Sequence, residues 1–195
     1  MDLDIAEKIR VCRLCETRFQ ATETLHEPRP IVWFQSNSPI LIAGQAPGMR
    51  VHQSGKPFDD PSGDRLRDWM GINSEQFYTR DLVSIIPMAF CFPGYRKGAD
   101  LPPPPICSKT WHKPVMAQMT DVRLTLLVGG YAQKWHLKSQ LNVTDQVKAW
   151  RDHAPNVFPL PHPSWRNTGW LKANPWFEAE LLPQLRTRVQ EIVND

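Results

Sequence analysis

Long hydrophobic runs are missing from this sequence. The longest apolar stretches, Ile85 to Phe92 and Pro39 to Ala43, fall far short of the roughly 18 consecutive apolar residues that a bilayer crossing needs, so no membrane partner is expected. The opening Met1-Asp2-Leu3-Asp4 lacks the basic and apolar blocks of a secretory signal, which reads as a cytoplasmic protein. A strong charge imbalance is missing too. The 23 Lys and Arg against 20 Asp and Glu leave +3 at neutral pH, which permits a polyanionic partner but sits below the usual charge of tight non-specific nucleic-acid binders. Internal repeats, low-complexity tracts and Gly/Ser linkers are absent, so residues 1–195 are read as a single domain, with a monomer expected. The loop Gly44-Gln45-Ala46-Pro47-Gly48 lacks the length and the Lys of a Walker loop and does not fit a dinucleotide fingerprint, which removes the two commonest phosphate cradles.

What the chain does contain is a recurring apolar run followed by a helical pattern. Pro39 to Ala43, Leu82 to Phe90, Leu124 to Val128 and Val157 to Leu160 read as buried strands. Helices are expected around Asp64 to Met70, Ser108 to Met119, Tyr131 to Leu137 and Val143 to Arg151. A closing helix from Pro175 to Val193 carries Phe177, Leu181, Leu185, Val189 and Ile192 in three-to-four spacing, with Pro183 predicting a kink or a break. This alternation predicts an α/β fold with three α-β-α layers around a mainly parallel, about four-stranded sheet. Reactive loops in such folds lie beyond the carboxyl ends of the strands, which directs attention to Gly44–Gly48 and to His162–Asn167. The 8 tryptophans are expected mostly in the core, with some faces left for stacking, and the 19 prolines imply rigid irregular connections.

All four cysteines fall into two pairs, Cys12-x-x-Cys15 and Cys91 with Cys107. In a chain read as cytoplasmic this spacing favours a metal over a disulfide, and on spacing alone a four-iron cluster and zinc stand level.

Several stretches, in order along the chain, resemble the iron-sulfur-containing uracil-DNA glycosylases of the uracil-DNA glycosylase superfamily. They are Cys12-Arg13-Leu14-Cys15 with Glu16-Thr17-Arg18, Gly44–Gly48, Gly55-Lys56-Pro57-Phe58, Ser62-Gly63-Asp64-Arg65-Leu66, the pair Cys91 and Cys107, and His162-Pro163-Ser164. The resemblance spans about Val11 to Asn167. It implies a four-stranded parallel sheet between helices, and a 4Fe-4S cluster rather than zinc on Cys12, Cys15, Cys91 and Cys107. It further implies a DNA partner carrying a damaged or deaminated base, whose N-glycosidic bond is hydrolysed after the nucleotide leaves the stack. His162 is then expected to stabilise charge developing on the leaving base, and Phe58, with Ala46 and Pro47, to bind that base. Ser164, Trp165, Arg166 and Asn167 are expected to grip phosphates or fill the space the base vacates.

Two departures bear on mechanism. Gln45 stands where the nearest clade usually has Glu, and an amide positions water without acting as a general base. Asp59 or Asp60 is the carboxylate expected to help, with Asp60 preferred. The segment Ile86-Pro87-Met88-Ala89-Phe90 has no Asn to read the pyrimidine edge, which leaves room for other lesions such as hypoxanthine or xanthine. The alternative these departures leave open is a non-catalytic iron-sulfur protein of the same fold that binds nucleic acid.

Overall fold

The computed structural model describes residues 4–195, so Met1 to Leu3 of the acidic opening lie outside the described residues. The helices are α1 (Ile5–Arg10), α2 (Glu16–Gln20), α3 (Met49–Ser54), α4 (Pro61–Met70), α5 (Ser74–Phe77), α6 (Pro105–Met116), α7 (Gly130–Leu137), α8 (Val143–Lys148), α9 (Thr168–Ala173) and α10 (Leu182–Val193). The strands are β1 (Ile40–Ala43), β2 (Val83–Ile85), β3 (Tyr95–Arg96), β4 (Ala99–Asp100), β5 (Leu124–Val128) and β6 (Val157–Leu160). Four of them form one sheet in the order β2-β1-β5-β6, with every pairing parallel. The expected three-layer α/β fold is what the chain adopts. Among the described residues no helix is long and apolar enough to cross a membrane.

β1 reads Ile-Leu-Ile-Ala with every residue buried, as a central strand covered on both faces requires. Alternate residues feed opposite layers. Ile40 and Ile42 join Leu66, Trp69, Phe177 and Leu185 in the main core, whereas Leu41 packs with Ile9, Phe90 and Val115 on the other side.

The structure departs from the sequence expectations in several elements and keeps the expected break of the closing helix at Pro183. The apolar run from Leu82 is a strand only over Val83–Ile85; from Ile86 to Phe90 the backbone turns over the sheet end, with the Met88 N–H donating to the Gly44 carbonyl at 2.8 Å. α6 starts three residues early, at Pro105, because a proline lacks only an N–H that the first turn would leave unpaired. The helix at Val143 becomes a 3-10 turn over Ala149–Asp152. The closing helix does break near Pro183: a π-helical stretch, Phe177–Leu181, passes directly into α10, and the widened turn lies just before the residue that cannot donate an N–H. Of the tryptophans, only Trp69 and Trp150 are fully buried; most of the others are half-buried at layer edges.

Candidate active site

Beyond the carboxyl ends of β1 and β6 lies a cleft of about 610 Å³. Its lining includes Gln45, Ala46, Pro47, Phe58, Asp60, His162, Ser164, Arg166 and Asn167, so the residues the sequence singled out from three separate segments meet in one recess. The topology brings them there. Parallel strands place both connecting loops at the same sheet edge, where ligand sites of open α/β sheets form.

Gly44–Gly48 is fixed by the backbone rather than by side chains. The Met88 and Ala89 N–H groups donate to the carbonyls of Gly44 and Gln45, at 2.8 and 3.1 Å. Among the described residues the Gln45 side chain makes no hydrogen bond within the protein, so its amide is available to the cleft.

Phe58 is held in a conformation that non-glycine residues rarely adopt, with φ of 53°. Its carbonyl accepts from the Tyr78 hydroxyl at 3.1 Å and from Arg67 Nη1 at 3.4 Å, and its ring meets Phe77 edge-on. Gly63 makes this possible. A Cβ at that position would lie 1.8 Å from the Phe58 carbonyl oxygen. Gly63, in the first turn of α4, therefore lets that helix press against the backbone of Phe58.

Asp60 is the N-cap of α4, where its Oδ1 accepts the Gly63 N–H at 2.9 Å. That bond uses one carboxylate oxygen, and among the described residues the other has no hydrogen-bond partner within the protein, on a residue that lines the cleft.

His162 is mostly buried, and burial lowers its pKa, opposed by the nearby charges of Asp60 and Asp100. Its Nδ1 accepts the Ser164 N–H at 3.2 Å. A neutral imidazole whose Nδ1 is an acceptor carries its proton on Nε2, which leaves one N–H donor. The loop around it is braced from two sides: Asn167 Nδ2 donates to the His162 carbonyl at 2.7 Å, and Arg65 of α4 donates to the Ser164 carbonyl at 3.0 Å. Trp165 remains 73% exposed at the tip, with the Arg166 guanidinium 5.9 Å from its ring centroid.

Sequence reasoning missed Asp100. It sits on a two-stranded hairpin, β3–β4, whose strands lie within the proline-rich segment between Cys91 and Cys107, and it lines the same cleft. Partial burial raises its carboxyl pKa, while the charges of Arg166 and His162 act the other way. The turn at Lys97-Gly98, both at positive φ, was the available signal for this hairpin.

Cys12, Cys15, Cys91 and Cys107 line one apolar cavity together with Ile9, Phe19, Phe90 and Trp111. Burial raises the Cys107 thiol to about 12, against a lowering hydrogen bond from the Phe90 N–H at 3.5 Å and a further raising effect of Cys15 and Cys12. Cys91 is pushed up by burial and then by Cys107. Among the described residues no three His, Cys, Asp or Glu are gathered closely enough to hold a single metal ion.

The parallel sheet thus carries at its strand ends a cleft in which the imidazole of His162, with one N–H left to donate, shares the recess with the ring of Phe58. A family model described as the Uracil DNA glycosylase superfamily matches residues 32–186, and the chain belongs to that superfamily. The match begins after Cys12 and Cys15 and so includes only one of the two cysteine pairs.

Proposed function

We propose that this protein is a DNA repair glycosylase that hydrolyses the N-glycosidic bond of uracil or another deaminated base in DNA. The observation that carries the reading is the convergence of His162, Gln45, Asp60 and Phe58 on one cleft in a chain of this superfamily. A flipped base enters against Phe58, Ala46 and Pro47. As the bond from the sugar C1′ to the base nitrogen breaks, its electron pair moves onto the base and its carbonyl oxygen becomes anionic. The Nε2–H of neutral His162 donates to that oxygen, where charge is largest in the transition state. The Gln45 amide places a water beneath C1′, and the water's oxygen bonds to C1′ as its proton passes to the free oxygen of Asp60. Such a reaction needs no strong base when the sugar already resembles an oxocarbenium ion. Trp165 is the wedge for the vacated stack, and Ser164 and Arg166 contact phosphate. Asn167, which donates one of its two amide N–H groups to the His162 carbonyl, holds that loop in place.

The four cysteines suit a 4Fe-4S cluster. The donor set lining their cavity is entirely sulfur, the surroundings are apolar, and a backbone N–H already points at Cys107 Sγ. Bound there, a cluster supplies cross-linking rather than chemistry: Cys12 and Cys15 tie the amino-terminal helices to the segment that carries the Asp100 hairpin. Zinc, the other candidate, needs four ligands around one ion.

The test is base release from oligonucleotides carrying uracil, hypoxanthine or xanthine. Release that His162→Ala slows more than about tenfold in a single turnover, roughly 1.4 kcal/mol of barrier, is expected. No release from the whole panel would leave the non-catalytic binding protein as the reading.

A further inference from the structure

Gln45, His162 and Asn167 line not one recess but two. The second is a groove of about 870 Å³, larger than the base cleft and meeting it at the reactive histidine. None of the roles above uses it.

The groove owes its character to one helix. Along α7 and its C-cap, Tyr131, Lys134, Trp135 and Lys138 follow the spacing that puts side chains on a single helix face. The opposite face holds α7 to the sheet: Ala132 and Gln133 are buried, and Gln133 Nε2 donates to the Leu160 carbonyl at 2.8 Å. The outward face is therefore two aromatic rings interleaved with two ammonium groups. Tyr131 is 48% exposed, and Lys138 Nζ stands 4.6 Å from the centroid of Trp135. Trp170 of α9 closes the other side, its indole N–H already donated to the Thr144 hydroxyl at 2.8 Å. Among the described residues no carboxylate lines the groove.

We propose that this groove binds unpaired nucleotides of the DNA strand next to the flipped base, so that the protein prefers substrates that are single-stranded on one side of the lesion. The inference rests on the glycosylase reading for the identity of the strand, and on the groove for its form. Rings without neighbouring acids take the faces of bases, and lysines beside them take the phosphates between, as in single-strand binding channels. A paired duplex hides its base faces and presents none of them to a recess. The groove's continuity with His162 sets where the strand enters.

Two variants separate charge from stacking. Lys134 and Lys138 are both solvent-exposed, and Lys134→Glu with Lys138→Glu is expected to weaken binding of an undamaged single-stranded oligonucleotide of about twelve nucleotides by at least about tenfold, with a shallower salt dependence. Tyr131→Ala is expected to weaken the same binding severalfold with the salt dependence unchanged. Fluorescence anisotropy reads both, and circular dichroism checks that each variant is folded. In base-release assays the half-saturating concentration of a strand with unpaired flanks should rise in both variants, and that of a fully paired duplex should not. Unaltered single-strand binding in both folded variants, or an equal loss for duplex, overturns the proposal. Base release that is missing for every lesion while the variants still lose single-strand binding overturns the glycosylase reading and leaves the groove standing.

Discussion

The Ser164 N–H that reaches His162 Nδ1 decides where the imidazole proton sits. Protonating Nδ1 would set two donors against each other, so the loop favours the neutral ring, in the same direction as the burial that lowers its pKa. The sign for activity follows: base release should stay level as pH falls through about 6.5, the ordinary imidazole value, and decline only below it. A single-turnover profile with a midpoint at or above that value would contradict the assignment. Asp60 offers a cleaner separation of roles. Asn caps a helix as well as Asp does, so Asp60→Asn is expected to leave the urea midpoint nearly unchanged while slowing base release. Equal rates in the two proteins would remove the carboxylate from the water's path. At this scale the sequence was legible wherever a residue belonged to a motif, as for His162, Phe58 and Gln45. Asp100 was not legible, because its place in the cleft depends on a hairpin whose strands are two residues each, too short for any periodic pattern.

Elements carry these residues through close backbone contact. α4 reaches the Phe58 carbonyl only because Gly63 has no Cβ, and Gly63→Ala is expected to destabilise the fold by about 3 kcal/mol and to displace the ring at position 58. A thermal midpoint equal to that of the unchanged protein would show that the contact yields freely. The strands β5 and β6 were legible to the residue, since four or five apolar residues between turn signals have one reading in an alternating α/β pattern. β2 was overestimated for the opposite reason: Ile86 to Phe90 is as apolar as a strand and fully buried, yet past Ile86 it leaves the sheet, with the Met88 and Ala89 N–H groups donating to the Gly44–Gly48 loop and the Phe90 N–H to Cys107 Sγ. Burial, not pairing, explains that composition. α3 escaped notice because Met49–Ser54 buries a single residue, Val51, and so shows no stripe.

Across the molecule, burial first of all lowers the pKa of His52, His112, His136 and His162, taking His136 down to about 4. The folded state therefore holds fewer protons than the unfolded chain over this range. Stability is complete above about pH 6.5 and falls as the pH drops towards 4, by about 3 kcal/mol for His136 alone. Urea midpoints measured between those limits should decline, and His136→Phe should reduce the decline; identical slopes would deny His136 that share. The cysteine cavity makes its own demand on the whole fold. Purified without oxygen, the protein should be brown with broad visible absorbance, and Cys91→Ser should lose both the colour and thermal stability; a colourless protein containing zinc would replace the cluster. The central claim is the hydrolysis itself. Its most direct measurement is base release from single-stranded and duplex oligonucleotides carrying uracil, hypoxanthine or xanthine, with His162→Ala alongside. The account predicts release of at least one base and its loss in the variant; silence across the panel, or release untouched by the substitution, would contradict it.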